Sequence, residues 1–200
     1  MSKNFLTNLD KSKRNKNVKV HEFFNSKSSN ENTINFSKIT YQFKNSAFGQ
    51  TLIMNSDMGL CGLAFCDDLG KDAVLADMKL RWPKASYKED TIFSDKDFKS
   101  ILDKTKQVEL CLLGSKLQIQ VWKALLKIPT GKLISYTTLA KYIEKPKAVR
   151  TIATAVGKNP LCWLIPCHRV LRANGELGGY HWGLNVKRMM LTYESQIDKN

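Results

Sequence analysis

The sequence predicts an α+β protein in two parts, a strand-rich N-terminal half and a mainly helical C-terminal half. Three observations carry that expectation. Residues 39–65 hold three short stretches of strand character separated by turn residues. Two stretches with helical spacing follow, at 67–82 and 95–106. From residue 117 onward apolar residues recur at helical intervals, with Pro and Gly marking the ends of the runs.

Residues 1–36 are rich in Lys, Asn and Ser and lack a hydrophobic period, which predicts a basic, disordered tail. A solvated tail and a basic arm that tracks DNA fit that composition equally. Residues 39–43 alternate like a half-buried strand. Phe48-Gly49-Gln50 turns the chain into residues 51–54, and Met58-Gly59 leads to a third strand at 60–65, together an antiparallel meander. Residues 67–82 form a predicted helix with Leu69, Ala73, Ala76 and Leu80 at helical spacing and Pro83 as its stop. A second helix is expected at 95–106. The unit 37–108 shows no catalytic chemistry, and a second unit is expected over 109–200.

In that second unit residues 117–128 form an amphipathic helix with Val121, Trp122, Leu125 and Leu126 on its apolar side. Pro129-Thr130-Gly131-Lys132 is a turn. Ser135 caps a short helix at 136–143, Glu144-Lys145 turns, and Pro146 suits the first position of a helix that ends at Asn159-Pro160. Two short helices joined by a tight turn make the helix-turn-helix pattern. The second carries Lys147, Arg150 and Lys158 among the small residues Ala148, Ala153, Thr154, Ala155 and Gly157. Small side chains let a helix backbone approach a groove, and basic ones meet phosphates. An ordinary packed helical hairpin fits the same pattern. Residues 185–196 form a last helix, with Val186, Met189, Met190 and Tyr193 as its stripe.

Hydrophobic residues make up 42% of the 200 and charged residues 25%, an ordinary globular balance. The net charge of +14 favours an anionic polymer, either nucleic acid or an acidic membrane face. No apolar run approaches the roughly 18 residues that span a bilayer, and residues 1–5 lack the core of a secretory signal. A cytoplasmic location and no membrane partner are therefore expected. Five cysteines, an odd number, argue against a disulfide framework. Cys61 and Cys66 lack a second pair at zinc spacing and read as small buried hydrophobes, so no metal is expected.

Residues 164–171, Leu-Ile-Pro-Cys-His-Arg-Val-Leu, carry the chemistry. Pro166 fixes the backbone before Cys167. A thiol is a useful nucleophile only as thiolate, which neighbouring cations or a base favour, and His168 and Arg169 stand beside it in sequence. Adjacency does not guarantee contact in space, and a Cys-His dipeptide alone is more often structural.

The second half resembles the O6-alkylguanine-DNA alkyltransferases, the methylated-DNA–protein-cysteine methyltransferases, and in particular the branch represented by the C-terminal half of bacterial Ada. The resemblance runs over 114–194. It rests on Val121-Trp122-Lys123-Ala124-Leu125, Ile128-Pro129-Thr130-Gly131, Ser135-Tyr136-Thr137-Thr138-Leu139-Ala140 and Lys145-Pro146-Lys147-Ala148-Val149-Arg150. It continues in Asn159-Pro160, Ile165-Pro166-Cys167-His168-Arg169-Val170 and Gly179-Tyr180-His181-Trp182-Gly183. Residues 39–83 resemble the family's ribonuclease-H-like N-terminal domain more loosely, and the helical half is expected to be winged-helix-like.

The resemblance implies direct, single-turnover transfer of a methyl or other alkyl group from O6 of guanine in double-stranded DNA, with O4 of thymine left open, by a monomer without a cofactor. Cys167 matches the alkyl acceptor. His168 matches the base that withdraws the thiol proton through a water, and Glu194 the carboxylate that orients it. Tyr136 matches the phenol that protonates the leaving guanine. Arg150 matches the finger that replaces a base flipped out through the minor groove, on a helix whose Lys147, Ala148, Thr154 and Lys158 face DNA. Asn159 matches the hinge between the helix-turn-helix and the cysteine turn. Pro166, Val170, Tyr180, His181 and Trp182 match the wall of the alkyl pocket, and Trp182 implies a tight one that takes methyl well and benzyl poorly.

Three departures stand out. Gly114-Ser115-Lys116-Leu117-Gln118 replaces the usual Gly-Thr-x-Phe-Gln. His181 stands where Ada has arginine. The cysteines that bind zinc in the N-terminal domain of the human relative have no counterpart in 1–60, and nothing in the sequence resembles the Ada N-terminal zinc module or activator domain, so phosphotriester repair and transcriptional activation are not expected. Two competing functions fit parts of the pattern. A lesion-binding module would keep Arg150 and Tyr136 but not need Cys167. A cysteine hydrolase would use Cys167 and His168 but leave the helix-turn-helix unexplained.

Overall fold

The computed structural model describes residues 17–24 and 38–197, and the chain divides between Lys116 and Leu117 into two compact units. The first holds β1 (Val18–Phe24), β2 (Lys38–Ser46), β3 (Gly49–Ser56), β4 (Gly59–Phe65), α1 (Lys71–Lys79), β5 (Ser86–Glu89), α2 (Asp95–Leu102) and β6 (Val108–Gly114). Its six strands form one mixed sheet in the order β1-β6-β4-β3-β2-β5. The meander expected from sequence is β2-β3-β4, with antiparallel pairing at both hairpins. The remaining pairs are parallel.

Two glycines allow this packing. Gly59 turns β3 into β4 at φ 111, and a Cβ there would lie 2.4 Å from the Glu109 carbonyl oxygen. Only glycine adopts that conformation without strain. A Cβ on Gly62 would stand 2.6 Å from Met78 Cε and 2.8 Å from Met54 Sδ, so the missing side chain leaves the space that Met78 fills.

Three sequence expectations change here. The predicted disordered tail does not hold at Val18–Phe24, which is the edge strand β1, in parallel register with β6 from Val18 opposite Val108 to Phe24 opposite Gly114. Its polar positions have partners across the ladder, since Lys19 Nζ and His21 Nε2 reach Glu109 at 2.9 and 3.0 Å. The rest of the tail lies outside the described residues. The first unit extends through β6, beyond residue 108, because that apolar run pairs with β1 on one side and β4 on the other. The apolar face of α1 is also different. Val74 and Met78 are buried, while Leu69 and Leu80, at 49% and 78% exposure, face water. Cys61, Cys66 and Cys111 are buried in this unit and act as small core groups.

The second unit holds α3 (Lys116–Leu125), β7 (Ile134–Ser135), α4 (Tyr136–Tyr142), α5 (Val149–Gly157), β8 (Val170–Leu171) and α6 (Leu184–Ile197), with a single 3-10 turn at Cys167–Arg169. The Trp122 indole N–H donates to the Ala155 carbonyl at 2.8 Å and ties α3 to α5. Ser135 caps α4, accepting from the Thr138 N–H at 3.0 Å. α5 begins at Val149 rather than Pro146. The segment before it closes a turn, Ala148 N–H to Lys145 carbonyl at 2.9 Å, and Pro146 takes the second position of that turn. On α6 the inner face is Val186, Lys187, Met190 and Glu194, all buried, while Met189 and Tyr193 of the expected stripe are 39% and 37% exposed. Among the described residues no helix is long and apolar enough to cross a membrane.

Candidate active site

Every residue from 161 to 170 is buried. A stretch so enclosed has to satisfy its own backbone and polar groups. Asn159, 1% exposed, does much of this. Its Nδ2 donates to the Ile165 carbonyl at 2.8 Å, and its Oδ1 accepts from the Leu161 N–H at 3.0 Å, so one side chain clasps both ends of the segment before the cysteine. Pro166, at φ −79 and ψ 64, then swings the chain into the 3-10 turn that presents Cys167. A two-residue parallel ladder, Ile134 opposite Val170 and Ser135 opposite Leu171, fastens this turn to the start of α4 and so to Tyr136.

Both side chains that follow the cysteine converge on one carboxylate. Arg169, 3% exposed, spans Glu194: Nε donates to Oε2 at 2.8 Å and Nη2 to Oε1 at 2.5 Å. The guanidinium also donates to the Ile128 carbonyl and, at 3.1 Å, to Thr130 Oγ1. His168, fully buried, places Nε2 3.1 Å from Glu194 Oε1. Burial alone would raise the Glu194 pKa, but His168 and Arg169 more than reverse this and hold it at about 2. The imidazole also stacks on Trp163, with centroids 5.4 Å apart and planes at 17°. To lie there Trp163 sits at φ 70, a left-handed conformation unusual for a bulky residue.

Cys167 Sγ lies 3.7 Å from Cys162 Sγ and 3.5 Å from the Tyr180 hydroxyl. Burial opposes ionisation of the thiol. Hydrogen bonds with Cys162, Asn159 and Tyr180, and the positive charge of Lys187, outweigh it and bring the pKa down to about 7. The cation that serves the sulfur is therefore Lys187 of α6. Its ammonium is fixed by the Val170 and Leu177 carbonyls at 2.8 and 2.5 Å. Desolvation lowers the Lys187 pKa to about 8, against the pull of Cys167 in the other direction. Tyr136 stays protonated, its pKa raised by burial and by the neighbouring Cys167.

The remaining expected residues divide in two. Val170 is buried in β8, Tyr180 is half-buried on the sulfur, and Trp182, 1% exposed, donates its indole N–H to Cys162 Sγ at 3.0 Å. His181 is exposed and meets the Trp182 ring edge-on at 4.4 Å. Lys147, Arg150, Thr154 and Lys158 are exposed along the outer side of the helix-turn-helix, with Ala148 half-buried between them. The opposite side of α5, Ile152, Ala155 and Val156, is buried. Sequence reasoning missed Cys162, Trp163 and Lys187. The signal for Lys187 was a lysine at an inward position between Val186 and Met190. Nothing local marked the other two.

Fold and site define a class: a helix-turn-helix unit that carries one enclosed, readily ionised cysteine. Residues 116–196 match the family described as 6-O-methylguanine DNA methyltransferase, DNA binding domain. The regulatory protein ada of Salmonella typhimurium is 36% identical over 167 residues, 80% of this chain and 47% of that protein, so the chain spans about half the length of such curated relatives. A probable methylated-DNA–protein-cysteine methyltransferase of Acanthamoeba polyphaga mimivirus is 42% identical over 101 residues, 50% of this chain and 67% of its own. The crystal structure of Mycobacterium tuberculosis OGT in complex with DNA superposes with a TM-score of 0.62 at 30% identity, covering 78% of this chain and 93% of that one. The chain belongs to the methylated-DNA–protein-cysteine methyltransferase family.

Two measurements check this geometry. Arg169→Met leaves a buried carboxylate short of its main partner and should cost about 3–5 kcal/mol in urea unfolding, with Arg169→Lys intermediate. Alkylation of Cys167 by iodoacetamide, followed by peptide mapping, should accelerate as pH rises through about 7 and then level off, because only the thiolate reacts. Lys187→Met should move that midpoint upward; an unmoved midpoint refutes the role given to the ammonium.

Proposed function

We propose that this chain repairs alkylated DNA by taking a methyl or other alkyl group from O6 of guanine onto Cys167, once per molecule. The observation that carries the proposal is a thiol brought to a pKa of about 7 inside a fully buried segment of a helix-turn-helix unit. A sulfur so enclosed cannot reach a stacked base, so the nucleotide must leave the duplex and enter the site.

In the proposed reaction the Cys167 thiolate attacks the alkyl carbon. The S–C bond forms as the C–O6 bond breaks, and guanine leaves with a proton from the Tyr136 hydroxyl. Before attack, His168 takes the thiol proton through a bridging water. Glu194 engages Nε2, which directs the exchange to Nδ1 and stabilises the ring when it is charged. The product is a thioether, a very poor leaving group, so the protein is spent. The acceptor is the chain's own sulfur, and the balance closes without a cofactor.

Arg150 fills the gap left by the flipped nucleotide from the minor-groove side. Lys147, Ala148, Thr154 and Lys158 line the same outer surface, where exposed basic and small residues suit close contact with phosphates. Asn159 is the hinge that transmits this docking to the cysteine turn. Pro166, Val170, Tyr180, His181 and Trp182 shape the pocket. The first unit is a ribonuclease-H-like scaffold, the second is winged-helix-like, and the setting is the cytoplasm where DNA is reached. The complex of the tuberculosis relative with DNA supports DNA as the partner.

A duplex with one labelled O6-methylguanine tests the proposal. One equivalent of label should appear on the peptide holding Cys167, and Cys167→Ser should abolish it while still binding DNA. Binding without label would leave a lesion-binding module, and repeated turnover of an ester a hydrolase. Trp182→Gly should increase reaction with O6-benzylguanine relative to the methylated substrate; no gain would refute the steric role of the indole.

A further inference from the structure

Cys162 takes part in the alkyl transfer proposed above only through its hydrogen bond with the reactive sulfur, yet it sets a second thiol directly beside it. The two Sγ atoms stand 3.7 Å apart, both residues are almost fully buried, and neither is in a disulfide. Two N–H donors point at Cys162 Sγ, the Trp182 indole at 3.0 Å and Asn159 Nδ2 at 3.9 Å. Such donors stabilise negative charge on sulfur, which is what a second, attacking thiol requires. At Cys61, Cys66 and Cys111 burial outweighs the hydrogen bond each thiol has. Burial pushes the Cys66 thiol up to about 11 and Cys111 up to about 12, and raises Cys61 well above its ordinary value.

We propose that Cys162 is a resolving cysteine, and that a hydroperoxide converts the Cys162–Cys167 pair into an intramolecular disulfide. Both steps balance. The Cys167 thiolate attacks one peroxide oxygen, the O–O bond breaks and hydroxide leaves, giving a sulfenic acid. The Cys162 thiol then attacks the Cys167 sulfur, the S–O bond breaks, and the departing hydroxide takes the thiol proton to become water. Two thiols lose two electrons in all, and one hydrogen peroxide is reduced to two waters. A disulfide S–S bond is about 2.0 Å long, so the sulfurs must close by about 1.7 Å, within reach of side-chain rotation. Hydrogen peroxide is no larger than the methyl-bearing oxygen that the alkyl reaction must admit. The bridge occupies the acceptor sulfur, and it also diverts the sulfenic acid from further, irreversible oxidation.

The test needs no DNA, so its failure is separate from failure of the alkyl-transfer proposal. Reduced full-length protein is treated with hydrogen peroxide, denatured in N-ethylmaleimide, digested with trypsin and weighed by mass spectrometry. Both sulfurs fall in one tryptic peptide, 159–169. The expected product is that peptide two hydrogens lighter, unlabelled at both cysteines and restored by dithiothreitol. In Cys162→Ala and Cys162→Ser, Cys167 should instead give a dimedone-reactive sulfenic acid and then a sulfinic acid that dithiothreitol does not reverse. The proposal is overturned if the native protein accumulates sulfinic acid at Cys167 as fast as these variants. It is equally overturned if Cys162 still takes N-ethylmaleimide after Cys167 has been oxidised, or if the peptide is unchanged. Should neither variant fold, the mapping of the native protein decides alone.

Discussion

A carboxylate with almost no access to water stays charged only if its surroundings supply what water would have supplied. Glu194 meets that constraint with a bidentate guanidinium from one neighbour of the cysteine and an imidazole from another. The same contacts that keep the carboxylate ionised also fix where those neighbours point. Arg169 continues past it to the Ile128 carbonyl and Thr130, so α6, the cysteine turn and the loop after α3 meet at one buried charge. The turn that presents the sulfur is thus held by electrostatics as well as by packing.

The sulfur itself depends on a different set of groups. Its ionisation is opposed by burial and rescued by Cys162, Asn159, Tyr180 and Lys187, none adjacent to it in sequence. Lys187 spends its donors on two carbonyls, one in β8 and one in the loop before Tyr180. It therefore braces the segment on which Tyr180 stands while lending its charge to the thiolate. Positioning and electrostatic activation come from the same side chain, a frequent economy in sites built on one rigid helix.

How much of this could be read in advance varies with how local each signal is. The meander, the cap at Ser135, the hairpin of helices and the Pro-Cys-His-Arg bend are written in neighbouring residues, and they appear where expected. β1 and β6 are not, because each is a strand only through a parallel partner far along the chain. The inward face of α1 was misjudged because leucine spacing suggested one side, while the gap over Gly62 draws Met78 from another. At the site, family resemblance named Cys167, His168 and Glu194, and the folded chain brings the last two within hydrogen-bond distance. It could not name Lys187 or Cys162, whose proximity to the sulfur exists only after α6 and the 161–170 segment have packed.

Trp163 shows where these demands collide. Its backbone occupies a region that costs most side chains on the order of 1–3 kcal/mol, and glycine far less. Yet it is the indole that lies flat against His168 and edge-on to Tyr193. A search for thermostable variants would therefore be drawn toward relaxing this backbone at the expense of the ring that steadies the imidazole. Robustness and reactivity compete at this one residue.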